Sequence, residues 1–259
     1  MVKTHLVSQT LLKRFADKGL IRVTNLVSGK DELKGLRQIA YLNVHDKLFS
    51  KLEKKWGNIE SSATTAFDSL EQGTLLKIPS HKGSIKRFMT LHYVRSPAFV
   101  DIMARDEPDF FRKYIQNVKK ESPDTTNYIE KNLPSIRSNW LAGLVKMVPG
   151  MLKTNAEKVE GYVNQFDIEI GIAPEGTEFI LGDNPTLTVS KDGRIGIRSG
   201  VTINESIGFS MPLGPRHLAA LIKRNSSVEY IQLNSKQVEN ANNKTKNQCI
   251  KEYYSSPVS

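Results

Sequence analysis

The chain has one cysteine, Cys249, among its 259 residues. A lone thiol cannot close an internal disulfide, and a cysteine-rich zinc site is excluded with it. The default compartment is a reducing cytoplasm. Long apolar runs are also missing. A membrane-spanning helix needs about 20 consecutive apolar residues, and no window approaches that. The most apolar helical stretch, NWLAGLVKMVPGML, is interrupted by Lys146 and Pro149 and reads as a buried helix with a kink or break. No membrane role is expected. The opening MVKTHLVSQTLLKRFADKG lacks the apolar run and small-residue cleavage site of a signal peptide. Standard catalytic signatures are absent: no phosphate-binding glycine loop, no nucleophile elbow, no His-Glu-x-x-His motif. Acidic residues are the scarcer sign of charge, 27 against 37 lysines and arginines, which gives a net charge of +10.

That excess favours a polyanionic partner, nucleic acid first. Many of the cations fall in the N-terminal helical part, at Lys51, Lys54, Lys55, Lys77, Lys82, Lys86 and Arg87. The same spacing also suits an ordinary solvated helix face. Hydrophobic residues make up 39% and charged residues 25%, enough apolar material for a packed core.

The pattern divides the chain. Ser8 caps a helical turn whose Leu11, Leu12 and Phe15 share one face, with Gly19 as its stop. LIRVTNLVSGKDEL reads as a strand and turn, and RQIAYLNVHD as a second extended piece. From Asp46, helical spacing of Leu48, Leu52, Trp56, Ile59, Ala63, Ala66 and Leu70 runs to a stop at Gly73. Ser80 caps a helix over 82–95, broken by Pro97. Helices follow around EPDFFRKYIQNVKK, through SPDTTNYIEKNLPSIRSNWLAGLVKMV, and over 155–164. At Phe166 the period changes to two. FDIEIGIAP, TEFILGDNPTLTVS, a hairpin in KDGRIGIRSG, and two strands in IGFSMPLGPRHLAALIK precede a closing helix, SKQVENANNKTKNQCIKEYY, capped by Ser235. The expectation is one α+β domain over 1–259: a helical part over about 1–165, packed with an antiparallel sheet and a final helix over about 166–259.

Several polar residues stand where apolar ones would serve a core better. In GDNP, Asp183 and Asn184 sit between two strand halves. The corner is either a bend or a carboxylate and amide presented to a cleft, where they could hold a metal or position a water. Arg95 sits three residues from His92, so the two share a helical face. It either binds carbonyls freed near Pro97 and an acid, or it binds a phosphate. Glu60 is either solvated at the edge of its helix's apolar stripe or buried with a partner such as Arg95. His92 reads as local packing, Trp56 and Trp140 as core aromatics, and Cys249 as an unactivated thiol in the last helix.

Taken in order, His5-x-Val7-x-Gln9-x-x-Leu12-x-x-Phe15, Glu60, Arg95-Ser96-Pro97, Asp183-Asn184-Pro185, Met211-Pro212-Leu213-Gly214-Pro215 and LNSKQVENAN resemble a bacterial family, domain of unknown function number four-two-three-eight, over nearly the whole chain. Three positions depart from its usual pattern: Ser8 stands for proline, Ser96 for threonine and Gly182 for serine. The resemblance implies a recurring site of His5, Gln9, Glu60, Arg95 and Asp183, and no chemistry. Two expectations from different classes follow. One is an intracellular nuclease-like effector acting on RNA or DNA, in phage defence or as a toxin. There His5 is the acid or base, Arg95 stabilises phosphoryl charge, and Asp183 and Glu60 bind a divalent metal such as Mg²⁺ or orient His5. Gln9, Asn184, Lys86 and Arg87 bind substrate. The other is a non-catalytic module for nucleic acid or a partner protein, with the same polar residues as a structural network.

Overall fold

The computed structural model describes residues 2–44, 47–96, 98–99, 157–223 and 230–257. The expected helices between residues 107 and 148, Trp140 and Pro97 lie outside them. The described residues form an α+β fold. Strand β1 (Val2–His5) pairs antiparallel with β4 (Tyr41–Val44). A four-stranded sheet has the order β3-β2-β11-β6, from Asp31–Gly35, Leu20–Asn25, Glu252–Ser255 and Leu181–Gly182. A five-stranded sheet has the order β10-β5-β9-β8-β7, from Tyr230–Gln232, Asp167–Ile172, His217–Ile222, Ser206–Gly214 and Leu187–Ser190. Its β10 runs parallel to β5 and its other pairs are antiparallel. Pro212, which has no N–H to give a ladder, marks the irregularity where the β8–β9 register shifts.

The helices form for the reasons their patterns give, with some boundaries moved. Helix α1 (Gln9–Leu12) starts at Ser8, whose hydroxyl accepts the N–H of Thr10, and tightens into a 3-10 turn at Lys13–Phe15. Gly19 is not its stop. It makes the tight Asp17–Leu20 turn at φ 78°. Helix α2 (Lys47–Glu71) buries Trp56, Ala63, Ala66, Phe67 and Leu70 along one stripe, and Gly73 ends it at φ 67°. Helix α3 (Pro79–Val94) begins earlier than Ser80 would place it, because Pro79 is already locked near helical φ at the first position. Helix α4 spans 157–163. Helix α5 (Ser235–Gln248) is capped by Asn234, not Ser235. The Asn234 side chain accepts the Gln237 N–H, and Gln237 returns a bond to the Asn234 N–H. The hairpin expected in KDGRIGIRSG is a tight turn with one bridge, Val189 to Ile195, followed by a 3-10 turn at Ile197–Ser199.

The main core joins the two parts of the chain. Phe67, Phe88 and Tyr93 of the helices lie in one cluster with Phe166, Phe209 and Leu221 of the β-rich part. Phe166 meets Phe209 edge-on at 5.3 Å and Tyr93 meets Phe209 at 6.1 Å between ring centroids. Burying each such side chain contributes on the order of 2–3 kcal/mol, and that packing fixes the end of α3 against the sheet.

Candidate functional site

Arg95 ends α3 with a backbone outside helical geometry, and its side chain turns inward, 2% exposed. One Nη donates to Glu60 Oε1 at 2.9 Å, and the other to His92 Nε2 at 2.9 Å. The guanidinium carbon lies 5.7 Å from the Trp56 ring centroid. Trp56 and Glu60 are four apart on α2, so one face of that helix supplies both the ring and the carboxylate. Glu60 thus takes the paired alternative, with its side chain 23% exposed.

His92 is the centre of this network and not bystander packing. Its Nδ1 donates to the Phe88 carbonyl at 2.9 Å, so its Nε2 must accept. That one lone pair is shared by Arg95 and by the backbone N–H of Ser8, at 3.2 Å. Position 8 is where the resemblance expects proline, which has no N–H to give. Burial lowers the His92 pKa well below 6.5, and the Arg95 charge lowers it further. The unfolded chain therefore takes up a proton near pH 6.5 that the folded chain refuses, and stability falls as pH drops through that value. Between pH 7.5 and 5.5 this costs at most about 1.4 kcal/mol. Urea denaturation at the two pH values checks it. His217, which burial also shifts down, adds a slope of the same sign, so the His92 share is the slope that His92→Gln removes.

Asp183 and Asn184 belong to a second enclosed network. Asp183 is 5% exposed and accepts three successive backbone N–H groups: Ile250 at 2.9 Å, Lys251 at 2.7 Å and Glu252 at 3.2 Å. Burial raises its pKa, and the three N–H bonds pull the other way. This grip ends the last helix at Gln248 and turns EYYS into β11, where a continued helix was expected. Asn184 accepts the Ala98 N–H at 3.2 Å and donates to the Gln248 carbonyl at 2.6 Å. It ties the segment after α3 to the end of α5. Gly182 is required by close approach: a Cβ there would meet Cys249 Sγ at 2.7 Å. Cys249 caps α5 and does not lie within it. It is buried, and burial raises its pKa.

The remaining candidates have separate placements in the fold. His5 ends β1 opposite Tyr41, and its side chain lies outside the described set. Gln9 opens α1. Lys86 donates its ammonium to the Phe166 carbonyl, and burial lowers its pKa. Arg87 is half exposed and faces Glu160 at 3.5 Å. Glu60 is engaged by Arg95 and Asp183 by backbone, so the expected Mg²⁺ pair does not form a ligand set. Among the described residues no group of three or more His, Cys, Asp or Glu could hold a metal. Sequence reasoning underrated His92 and missed the Ser8 N–H, which leaves no residue-type signal.

No helix among the described residues is long and apolar enough to cross a membrane. No curated protein and no solved structure matches the chain. Residues 3–259 match a family described as a protein of unknown function, DUF4238. The match extends over the whole series of motifs, from the His5 strand through Glu60, Arg95 and Asp183 to the closing helix, so the chain belongs to the DUF4238 family.

Proposed function

We propose that the chain is a non-catalytic nucleic-acid-binding protein in which Glu60, Arg95, His92, Asp183 and Asn184 hold the fold. The observation that carries the binding half is the charge, 37 basic against 27 acidic residues. Support comes from where some of that charge sits. Lys236, Lys244 and Lys246 are exposed on α5 with Glu239 as that helix's one acid, and exposed Lys251 follows. Such cations bind phosphates by releasing counterions. The scaffold half is supported by pairing: a catalytic arginine needs access to a phosphodiester, and here Arg95 is 2% exposed and bonded to the part-buried Glu60 and to His92.

Fluorescence anisotropy with mixed-sequence RNA and DNA strands tests the binding. Four phosphate contacts on a single strand predict that affinity falls about 50-fold between about 50 mM and about 200 mM salt. Strands incubated with the protein and Mg²⁺ are expected to be recovered intact. Absent binding at the lower salt, or binding indifferent to salt, would overturn the reading. Cleavage abolished by His5→Ala would replace it with the nuclease-effector reading.

A further inference from the structure

The outer face of the four-stranded sheet carries a different constellation. On β2, Ile21 and Val23 enter the core, so Arg22 and Thr24 face the other way. Strand register sets Asp31, Thr24, Tyr253 and Gly182 in one row across the sheet, with Arg22 beside Ser255 in the next. This face floors a cleft of about 610 Å³, walled by Lys246 of α5, Glu178 and Arg216. Ligand pockets run to roughly 300–1,000 Å³, so the cleft has room for a compound of nucleotide size.

Its walls are fixed before any ligand arrives. Asn242 of α5 donates to the Glu178 carbonyl at 2.8 Å and accepts the Ile180 N–H at 3.0 Å. Arg216 is held by the Pro174 carbonyl at 3.1 Å, and Arg22 by the Pro257 carbonyl at 2.9 Å. Lys246 Nζ stands 5.3 Å from the Tyr253 ring centroid. Two polar atoms on this cleft's side chains, Arg22 Nε and Glu178 Oε2, are buried without a hydrogen-bond partner. Leaving such atoms unpaired works against stability. Both side chains line the same cleft.

We propose that this cleft binds a phosphorylated nucleoside. Arg22, Arg216 and Lys246 converge as a phosphate grip. Asp31 and Glu178 disfavour a bare polyanion and call for O–H and N–H donors, which a sugar and a base supply. The Tyr253 ring, under Lys246, completes the lining. The nucleotide comes either free or as the phosphorylated end of a strand, and only the second source rests on the nucleic-acid reading.

Calorimetry separates the sources and the failures. The probes are AMP carrying its phosphate at the 5′ or the 3′ position, adenosine, inorganic phosphate, and one RNA strand with a 5′ phosphate, a 3′ phosphate or neither. The proteins are wild type, Arg216→Gln and Lys246→Gln, which change wall residues outside the core. Arg22→Gln is the third variant, with circular dichroism to check its fold. Binding of AMP above adenosine and phosphate, weakened about tenfold or more in each folded variant, establishes a site for the free nucleotide. A preference for a phosphorylated strand end that the variants abolish establishes the strand source. Strand binding indifferent to the terminal phosphate, to Arg22→Gln and to Arg216→Gln, with no binding of AMP, overturns the cleft and leaves the nucleic-acid reading standing. AMP binding without strand binding does the reverse. No binding of AMP or of phosphorylated ends overturns the proposal.

Discussion

Glu60→Ala should lower stability by about 3–5 kcal/mol without touching a single core hydrocarbon. The carboxylate is its partner's counterion: Arg95 is 2% exposed, and one of its Nη atoms reaches Glu60 at 2.9 Å. Removing Glu60 leaves a full charge inside the protein, with His92 as its remaining hydrogen-bond acceptor and the Trp56 ring nearby. Its Nε is already unpartnered. The reverse deletion is milder. Arg95→Met removes the buried charge itself and fills most of the space. The Glu60 it abandons is 23% exposed and can draw on water. Arg95→Met should therefore cost less than Glu60→Ala, and less still in a Glu60→Leu background, since an apolar pair of similar volume often matches a buried ion pair. Urea midpoints of the three variants measure the ordering. A Glu60→Ala loss below about 1 kcal/mol would show the pair to be the weak surface kind.

Asp183→Ala should cost roughly 3 kcal/mol or more, because charge-assisted hydrogen bonds contribute about 1.5–3 kcal/mol each and three are lost at once. The N–H groups of Ile250, Lys251 and Glu252 then have no acceptor in the same place. The damage should be local before it is global. Strand β11 sits between β2 and β6, so its release opens the middle of the four-stranded sheet. Hydrogen exchange should accelerate at residues 250–255 under conditions where α3 stays protected. Asp183→Asn keeps one acceptor oxygen and should fall between wild type and alanine. Unchanged exchange in β11 would mean that the turn holds itself.

Both results turn on residues whose types stood out in the sequence, while their partners did not. Glu60 and Arg95 were paired as one alternative because Glu60 sits beside a helical stripe and Arg95 beside a proline, both local signals. Their third member, His92, shares a face with Arg95, yet its role depends on a backbone N–H at Ser8, 84 residues away. An N–H is carried by almost every residue and marks none of them. Asp183 looked like a turn or a ligand for the same reason: its three partners are N–H groups 67–69 residues downstream. The alternation that marks β5 is legible because one of its faces is buried, and β8 and β9 are legible from the corner that joins them. Strand β11 is hidden in the closing helix because EYYS follows a strong helical pattern, and the bonds that interrupt it come from distant residues, Asp183, Asn184 and Arg198. The cleft on the outer sheet face draws on separate segments, from Arg22 to Tyr253, and no short window contains it.

On the proposed reading the Arg95 network is scaffold and takes no part in chemistry or ligand binding. Glu60→Gln tests it most directly, because the amide keeps an acceptor for Arg95 while removing the charge, so the variant should stay folded. Its urea stability and its affinity for an RNA strand are measured side by side at one pH and salt. A scaffold role predicts a stability loss of about 1–3 kcal/mol and an affinity per folded molecule equal to wild type. Unchanged stability together with lost RNA binding, or with lost RNA cleavage, would contradict it.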